Sequence, residues 1–586
     1  MLRQQGDQVR YLSPATSDIS MCAGKDIFTK FWLVIWAIGL SLGWLLPNHY
    51  LPWPSFHMEA WVSLLLAGAA LAVVVRAPGK STLSSAALVA LIMVAMPFVQ
   101  YAAGMQAFAG TAWVATAYLL GFFLAIAIGI RWESGAPGQM ADGLFLAIGI
   151  AAMFSVGLQF HQWLELDRLF LWDMGATAGR PFANFGQPNL LATFLIWGLL
   201  AAGWAVQRNY VSGVTGVIIA LYLLFGVALT ASRTAWIAMA ILIGATWMWR
   251  GMWRNRWAPW TIVALGGYFI GCLHAKDWLQ EYLLLGGQTD LVRMATEVRP
   301  QAWALFIDAV QHKPWIGYGW GQIAMAHLQV AVNNSPLYIL FSNSHNFFLD
   351  LVLWNGIPIG LLLIGIMIFW LWRHFRAAKK IEDILLLLLL VVVGNHALLE
   401  YPLSYAYFLF PAGLLVGALD MRLGAQLWHV GGRWILFSVC ALSTCLLVLI
   451  ARDYFRVEAS YLALRFEFAN IRTNEPKEPP KVLVLNHLSD MIRFARFEPH
   501  KDMSPEELNW MLNVANLYPS AGVIHKLAAA MAWNDRPNEA RLWLQRMCLM
   551  VNAAQCEAVR QAWANQALND PLIRAISWPE IKKINN

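Results

Sequence analysis

The sequence predicts an all-α polytopic membrane protein with about 13 transmembrane helices. Of its 586 residues, 59% are hydrophobic and only 13% are charged, whereas a soluble chain carries about 25% charged residues. The apolar residues also form long blocks, for example 31–46, 86–96 and 384–393. Because a helix that crosses the hydrocarbon core of a bilayer needs roughly 20 largely apolar residues, these blocks indicate membrane spans.

The predicted spans follow one another along the chain and are separated by short polar connections. They lie near 28–46, 59–75, 84–104, 111–130, 143–160, 189–206, 211–230, 234–249, 259–273, 346–371, 382–399, 403–418 and 433–450. If the N-terminus is cytoplasmic, most Lys and Arg residues of the connections fall on the inner side, as the positive-inside rule requires. An odd number of spans then places the C-terminal segment on the outer side.

This topology divides the chain into a membrane domain and two flanking segments. Residues 1–27 form a cytoplasmic N-terminal tail that lacks the apolar core of a cleavable signal peptide. The membrane domain covers 28–451, and an outer tail, predicted to be soluble helix, covers 452–586. Two outer connections are long, namely 160–188 and 274–344. Long connections on one side of a membrane tend to carry function.

The outer tail contains a pattern typical of one tetratricopeptide hairpin. Two helical stretches within 524–547 flank the turn 534–537, and their alanines recur at helical spacing. Such repeats normally need three or more units for stability. Generic helical packing against the membrane domain therefore explains the pattern equally well.

Charge and cysteine content argue against several other classes of protein. The net charge of +7 comes from basic residues in the connections, so it does not indicate a nucleic-acid partner. The six cysteines form no CxxC motif and no metal-type cluster. Cys548 and Cys556 are the two cysteines of the outer tail. A bridge between them requires a bend, because a continuous helix would hold them about 12 Å apart, whereas bridgeable Cα atoms lie within about 7 Å.

Five polar clusters lie at the ends of predicted spans, all on the outer side. The first, at 179–189, places Asn184, Gln187 and Asn189 at the start of the sixth span, where Pro188 fits the first turn of a helix. The free N–H groups of a helix N-terminus attract phosphate. A turn that only caps the span would show the same pattern.

The second and third clusters each contribute an arginine. Arg233 lies between two spans with almost no connection, and a charge near the bilayer usually has a partner. An anionic ligand is one explanation, and interfacial snorkelling is the other. Arg299 precedes a glycine-rich segment at 313–321, a weak pattern by itself. Arg293 is an equally good candidate by composition.

The fourth cluster surrounds His345, where the long outer connection enters the tenth span. Ser342 to Ser344 are predicted to cap this helix, which would place His345 in its first turn. The positive end of the helix dipole would then favour a neutral imidazole, and a neutral imidazole accepts a proton from a hydroxyl. The alternative is an ordinary interfacial histidine packed in the loop.

The fifth cluster holds His396, Glu400 and Tyr401 at the outer end of the eleventh span. Pro402 disfavours helical geometry at the residue before it, so the helix is predicted to end here. Tyrosine alone at this depth would be unremarkable, because it is common in interfacial belts. The five clusters together are a stronger signal, since the topology places all of them on one side.

These segments resemble those of the bacterial pilin-type O-oligosaccharyltransferases, which share a membrane core with the O-antigen ligases and polymerases. The matching motifs are GRPFANFGQPN (179–189), ASRTAW (231–236), RPQAW (299–303), PWIGYGWG (314–321), SHNFFLDLVLWNGIP (344–358) and HALLEYPLSYAYFLFP (396–411). The resemblance covers nearly the whole chain. It implies the helical fold of the GT-C-like glycosyltransferases that use a lipid carrier, with an active site on the periplasmic face of the inner membrane.

The resemblance also implies roles for individual residues. The family's essential glutamine, histidine and tyrosine fall on Gln187, His345 and Tyr401, and its core arginines fall on Arg233 and Arg299. The polar neighbours expected to support them are Asn184, Asn189, Asn346, His396 and Glu400.

The chemistry implied is transfer of a glycan from undecaprenyl pyrophosphate to a Ser/Thr hydroxyl of an acceptor protein such as a pilin. Arginines can neutralise the leaving diphosphate by two-point contacts. His345 would orient or deprotonate the acceptor hydroxyl. No outer-side DxD motif is present in the sequence, and the leaving group is already activated. We therefore expect neither a metal nor another cofactor.

Three alternatives remain at this stage. An O-antigen ligase would use the same chemistry with a lipid A-core acceptor, although the soluble tail and the EYPL segment favour a protein acceptor. A transporter or flippase would need polar residues through the membrane midplane, whereas these clusters lie on one side. A non-catalytic assembly protein would use the tail to bind partners.

Overall fold

The computed structural model describes residues 16–76, 80–166, 172–175, 180–285, 291–474 and 476–580, with side chains for all of these except 16–29, 80 and 291–297. This part of the chain is almost entirely helical. The helices up to the tail are α1 (Thr16–Trp44), α2 (Phe56–Arg76), α3 (Ser85–Ala102), α4 (Ala109–Gly135), α5 (Gln139–Trp163), α6 (Pro188–Gln207), α7 (Gly213–Leu229), α8 (Arg233–Met248), α9 (Ala258–Tyr282), α10 (Leu291–His312), α11 (Ile323–Val330), α12 (Phe347–Ala377), α13 (Ile381–Ala397), α14 (Ala406–Arg422) and α15 (Arg433–Phe468).

The predicted fold class is confirmed, because every predicted span coincides with a helix, namely α1–α9 and α12–α15. Within the described residues, eight helices are both long and apolar enough to cross a membrane. The total of 13 spans stays a prediction. Local sequence explains several helix starts. Ser84 and Ser212 cap α3 and α7 through their side chains, and Pro188 occupies the first turn of α6 as predicted.

Two features of the chain differ from the sequence prediction. Helix α1 begins at Thr16, so the last part of the predicted N-terminal tail is helical, while residues 1–15 lie outside the described part. The sequence also gave no sign of strand β1 (Lys80–Ser84), which pairs antiparallel with strand β2 (Leu427–Gly432). This pairing joins the α2–α3 connection to the α14–α15 connection. It depends on a distant partner, and neither segment shows a strand pattern of its own.

The long outer connection predicted at 274–344 is mostly helical. It contains the end of α9, all of α10 and α11, and a 3₁₀ turn at Ala331–Asn333. Buried side chains such as Phe306 and Phe341 form a small core that packs against α12. The connection is therefore a folded element that carries residues to the outer face of the membrane domain.

The main core lies between α1, α4, α5, α6, α13 and α14, where α4 and α14 cross at very short distance. A Cβ atom at Gly417 would overlap the carbonyl oxygen of Ile126, and one at Gly129 would overlap that of Leu414. Small residues allow such close packing of membrane helices. This crossing fixes the position of α14, whose outer end leads to the fifth polar cluster.

Charged residues at the predicted inner ends of three helices form a largely buried ion pair network. The Arg422 guanidinium donates to Asp383 at 2.7 Å and to Glu133 at 3.0 Å, which joins α14 to α13 and α4. A buried charge of this kind is tolerated only when it is paired. The network therefore fixes the inner ends of the same helices that carry polar residues at their outer ends.

The tail folds as a compact helical unit against the outer connection. Its helices are α16 (Asn486–Arg496), α17 (Pro505–Leu517), α18 (Ala521–Trp533), α19 (Pro537–Met550), α20 (Ala553–Asn569) and α21 (Pro571–Arg574). Helices α18 and α19 form the predicted hairpin around 534–536. The tail packs on Phe108, Leu328 and Ala331 of the membrane domain and the outer connection.

Cys548 and Cys556 form a disulfide, with Cα atoms 5.0 Å apart. The bend that this bridge requires lies between α19 and α20, where the Asn552 side chain accepts a hydrogen bond from the N–H of Gln555. The asparagine cap starts a new helix in a new direction, so the two cysteines come within bridging distance.

The first tail helix contacts the start of α4. The Asn486 side chain accepts a hydrogen bond from the N–H of Gly110 at 2.8 Å. His487 is buried beside it, and this burial lowers the pKa of the His487 imidazole to about 4. A Cβ at position 110 would overlap the His487 ring, so the contact also requires a glycine.

We expect the stability of this tail contact to fall as the pH decreases from about 6.5 towards 4. The unfolded imidazole titrates near 6.5 and the buried one near 4, so the stability is complete above 6.5 and is lost as protons bind the unfolded form. At pH 5 the loss is about 2 kcal/mol. Thermal unfolding at pH 7.5 and 5.0 measures it.

His487→Gln should flatten this pH dependence, whereas His500→Gln, a change at an exposed tail histidine, should leave it as in the wild type. An unchanged pH dependence in His487→Gln would contradict the assignment.

Candidate active site

The Glu400 carboxylate lies at the centre of the outer polar clusters. Its Oε2 is 2.7 Å from His345 Nδ1, and its Oε1 accepts hydrogen bonds from Arg299 and, at 3.1 Å, from Asn189 Nδ2. The carboxyl side chain is only 4% exposed. Four segments that are distant in sequence, namely α6, α10, the turn before α12 and the end of α13, therefore meet at one carboxylate.

Electrostatics keep Glu400 ionised in this environment. Burial by itself opposes ionisation, but the hydrogen bond from His345 and the charges of His345 and Arg299 together outweigh it and lower the pKa of the Glu400 carboxyl. An ionised carboxylate only accepts hydrogen bonds. His345 Nδ1 therefore donates to Glu400, and when the ring is neutral this hydrogen bond leaves Nε2 as the acceptor.

The turn that carries His345 differs from the sequence prediction. Asn346, not Ser342 to Ser344, caps α12, because its side chain accepts hydrogen bonds from the N–H groups of Phe348 and Leu349. His345 therefore precedes the helix instead of sitting in its first turn, and its φ is 58°. This left-handed conformation costs a non-glycine residue of order 1 kcal/mol.

Neighbouring contacts hold the turn in this conformation. The Ser344 N–H donates to Asp350 at 2.9 Å, and the Trp303 indole donates to the Ser344 carbonyl at 3.1 Å. The imidazole packs edge-on against two rings, with centroid distances of 5.7 Å to Phe341 and 5.2 Å to Tyr401. The ring orientation is thus fixed by Glu400 on one side and by aromatic contacts on the others.

Three arginines share this site. Arg180 donates from Nη2 to Asn189 at 3.1 Å and from Nε to the Thr230 carbonyl at 2.7 Å. The pKa of the Arg180 guanidinium is lowered to about 10, mainly by burial; the charge of Glu400 opposes this shift, and the charges of Arg299 and Arg233 add to it. A group of cations that exceeds its carboxylate partner is suited to an anionic ligand.

Arg233 is the first residue of α8 and is exposed. Within the described residues it forms no ion pair. The two predicted arginines and Arg180 therefore lie around one space at the outer end of the domain. Arg293, the alternative by composition, has a side chain outside the described set.

Gln187 occupies the N-cap position of α6 without capping the helix through its side chain. Gln162 anchors the loop before Gln187, because its Oε1 accepts hydrogen bonds from the N–H groups of Phe182 and Ala183. Asn184 is buried, and it donates to the carbonyls of Leu45 and Trp172. The loop is thus anchored, and the Gln187 amide is left available at a helix N-terminus.

The remaining predicted residues lie next to this site. Tyr401 packs on His345, and burial raises the pKa of its hydroxyl. His396 is fully buried one turn away, with Nδ1 2.8 Å from Thr193 Oγ1. No partner for His396 Nε2 exists among the described residues. His396 is therefore a buried neighbour of Glu400 and does not line the open part of the site.

Sequence reasoning missed three contributors to this arrangement. Arg180 lies on the predicted outer side, where the positive-inside rule expects few Lys and Arg residues. This position could have identified it from the sequence. Gln162 and Glu59 gave no comparable signal. Glu59, from α2, is buried and accepts hydrogen bonds from Tyr118 and, at 3.0 Å, from the N–H of Ala406. It thereby caps α14 directly after the Tyr401–Tyr405 segment.

Comparison with known proteins identifies the family of this chain. Residues 384–566 match the family model described as "Virulence factor membrane-bound polymerase, C-terminal", 218–364 match "O-Antigen ligase", and 181–204 match "Protein glycosylation ligase". A general O-oligosaccharyltransferase of Acinetobacter baylyi is 31% identical over 519 residues, which cover 85% of this chain and 88% of the relative. The chain belongs to the O-oligosaccharyltransferase family.

A second relative in the same organism, a ComP-specific O-oligosaccharyltransferase, is 29% identical over 340 residues, which cover 57% of this chain and 61% of the relative. Both relatives are named as O-oligosaccharyltransferases, and the resemblance inferred from the motifs is confirmed. The protein is an O-linked glycosyltransferase that moves an oligosaccharide en bloc to a protein. This activity excludes the transporter and the non-catalytic assembly-protein alternatives. The match of 218–364 to the O-antigen ligase model is the finding that also fits the ligase alternative, whereas the two relatives and the glycosylation-ligase match favour a protein acceptor.

Glu400→Gln should reduce transfer by roughly 10- to 1,000-fold, because the amide keeps the shape but removes the charge that orients and stabilises the His345 ring. Initial rates in membranes at matched expression measure this effect. Glu382→Gln, at the opposite end of α13, is the control and should transfer normally. A rate for Glu400→Gln within twofold of the wild type would show that the carboxylate has no part in transfer.

Proposed function

We propose that this oligosaccharyltransferase moves a glycan from undecaprenyl pyrophosphate to a Ser/Thr hydroxyl of a periplasmic protein. The observation that carries the proposal is the arrangement around Glu400, where an oriented imidazole lies beside three arginines. The reaction needs these two elements, a base for the hydroxyl and cations for the diphosphate.

In the proposed reaction, His345 Nε2 accepts the proton of the acceptor hydroxyl as its oxygen attacks the anomeric carbon. The bond from this carbon to the phosphate oxygen breaks, and the diphosphate leaves with the electron pair. Glu400 holds the Nδ1–H and stabilises the imidazolium that forms.

The arginines supply the charge stabilisation for the leaving group. Arg299 and Arg180 are held by Glu400, Asn189 and Thr230, so their positions are set before the donor binds. Arg233 and Gln187 are free to complete the contacts to phosphate or sugar oxygens. With this much positive charge at the leaving group, we propose that transfer proceeds without a metal ion.

Two further features support a periplasmic site. The basic residues of the short connections favour N-in, C-out insertion. The tail contains the disulfide between Cys548 and Cys556, and disulfides persist in the bacterial periplasm. A pilin or pilin-like acceptor is proposed from the motif resemblance.

We expect a phosphatase fused after the last residue, Asn586, to be active, because the proposed topology places the tail outside. Phosphatase activity in intact cells measures this, with a fusion after Arg208 in the predicted inner connection as the inactive control. An expressed but inactive C-terminal fusion would overturn the orientation.

His345→Ala should abolish transfer with little effect on expression, since general acid–base groups contribute about 100- to 10,000-fold. The assay is co-expression with a lipid-linked glycan and a pilin acceptor in a ligase-deficient host, followed by intact mass of the acceptor. His312→Ala, at an exposed histidine of α10, is the control and should remain active.

His345→Gln separates two roles of the residue, because glutamine keeps hydrogen bonding but cannot take the proton. Loss of transfer in both variants is expected. An active His345→Gln with an inactive His345→Ala would mean that His345 only positions the substrate. An active His345→Ala would refute the site, and absence of transfer by the wild type to any tested protein would refute the proposed acceptor class.

A further inference from the structure

His49, in the connection between α1 and α2, contacts the loop that precedes Gln187. Its Nε2 lies 2.8 Å from the carbonyl oxygen of Asn184. Because a carbonyl oxygen only accepts hydrogen bonds, Nε2 carries a proton and donates, and Nδ1 of the neutral ring is an acceptor. Burial lowers the pKa of the His49 imidazole and outweighs the hydrogen bond to Asn184, which raises it. The ring is therefore a neutral donor to the loop and adds no charge beside the arginines.

The same ring lies beside Gly186, the residue directly before Gln187. A Cβ atom built on Gly186 would lie 3.4 Å from both Nδ1 and Cε1 of His49. Gly186 has a φ of 70°, a left-handed conformation that glycine adopts without steric cost. The imidazole thus meets the loop at two points, the Asn184 carbonyl and the backbone of Gly186.

The loop needs contacts of this kind, because its backbone bends twice. Ala183 also has a positive φ, 50°, which is unfavourable for a residue with a Cβ atom. Gln162 binds this first bend through the N–H and the carbonyl of Ala183, at 2.7 Å each. Among the described residues, His49 provides the side chain that binds the Asn184 carbonyl. Gln162 therefore holds the first half of the loop, and His49 holds the half that leads into Gln187.

The connection that carries His49 is itself fixed by another helix. The Tyr454 hydroxyl of α15 lies 3.0 Å from the carbonyl oxygen of Tyr50 and 3.1 Å from that of Trp53. Tyr454 is fully buried, and a hydrogen bond is stronger in such an environment than in water. Since His49 immediately precedes Tyr50, its ring projects from a backbone that is held in place.

The position of the Gln187 amide depends on the backbone on either side of it. Its side chain does not cap α6, and its own backbone is extended, with φ −146° and ψ 128°. The Gln187 carbonyl accepts a hydrogen bond from the N–H of Leu191 at 3.2 Å, so α6 fixes the following side. Asn184 and Gly186 fix the preceding side, and His49 contacts both.

We propose that His49 is a positioning residue for Gln187, an inference that rests on the proposed function, in which Gln187 contacts phosphate or sugar oxygens of the donor. His49 holds the Asn184 carbonyl and the bend at Gly186, and so sets the direction in which the Gln187 amide is presented. A contact group displaced by about 1 Å loses much of its contribution. His49 therefore strengthens donor binding without touching the donor.

The test measures binding of the undecaprenyl-diphosphate-linked glycan to the full-length protein in nanodiscs, without an acceptor. His49→Ala removes the hydrogen bond to Asn184. His49→Gln keeps an N–H at the position of Nε2, whereas the side chain in His49→Asn is one methylene shorter and does not reach the carbonyl. His57→Ala is the matched control, because it removes a 3.0 Å hydrogen bond between α2 and Glu458, away from the Gln187 loop.

His49→Ala and His49→Asn should weaken donor binding by about 3- to 10-fold, the effect of one net hydrogen bond. His49→Gln and His57→Ala should stay within about twofold of the wild type. If His49 acts only through Gln187, the double variant His49→Ala/Gln187→Ala should bind the donor as weakly as Gln187→Ala alone. This non-additivity separates a positioning residue from one that only stabilises the fold.

Three results would overturn the proposal. The double variant could bind more weakly than Gln187→Ala by the full factor of His49→Ala, which would mean independent effects. A loss in His49→Gln equal to that in His49→Ala would mean that the imidazole contacts the donor itself. An equal loss in His57→Ala would trace the effect to a general loosening of the connection.

The comparison does not depend on a single variant or on the proposed function alone. If His49→Ala does not fold, His49→Asn and His49→Gln give the same contrast. Donor binding that weakens in Gln187→Ala but not in the His49 variants would refute this inference alone. Wild-type donor binding in Gln187→Ala would refute the proposed role of Gln187, and this inference with it.

Discussion

The active site depends on one carboxylate that compensates several cations. Without Glu400, the guanidinium groups of Arg299 and Arg180 would repel one another in a half-buried space. The single negative charge offsets only part of this repulsion, because Arg233 adds a third positive charge near Arg180. Arg299 and Arg180 are held in position before the proposed anionic donor binds, and fixed charges stabilise a leaving group better than mobile ones.

Contacts within the membrane domain fix the position of the Glu400 carboxylate. The close crossing of α4 and α14 and the Arg422 network fix the helices that lead to the Glu400–Tyr405 segment. Glu59 then caps α14 from a separate helix. The charged groups described within the spans thus pair with one another or satisfy backbone, so they do not form the polar path through the midplane that a transporter requires.

Charge and apolar surface are separated within the outer half of the molecule. Arg299 contacts Glu400 next to Tyr401, while Ala406, directly after Tyr405, lines an apolar cavity between α2, α4, α14 and α15. An amphipathic lipid-linked sugar presents the same two properties, an anionic head and a hydrocarbon chain. The aromatic rings between them tolerate both environments, because their faces are apolar and their hydroxyls are polar.

The sequence by itself determined the fold class and the positions of most helices, and it singled out candidate site residues at the ends of the predicted spans. Long apolar stretches admit only one conformation in a bilayer, since every backbone group must be hydrogen-bonded within the helix. The sequence also placed His345, Glu400 and Tyr401 at span ends on one side. Only the tertiary structure made Glu400 the common partner of His345, Arg299 and Asn189, and showed that Asn346 caps α12. Such contacts join segments far apart in the chain, and helical periodicity carries no information about which helix ends meet.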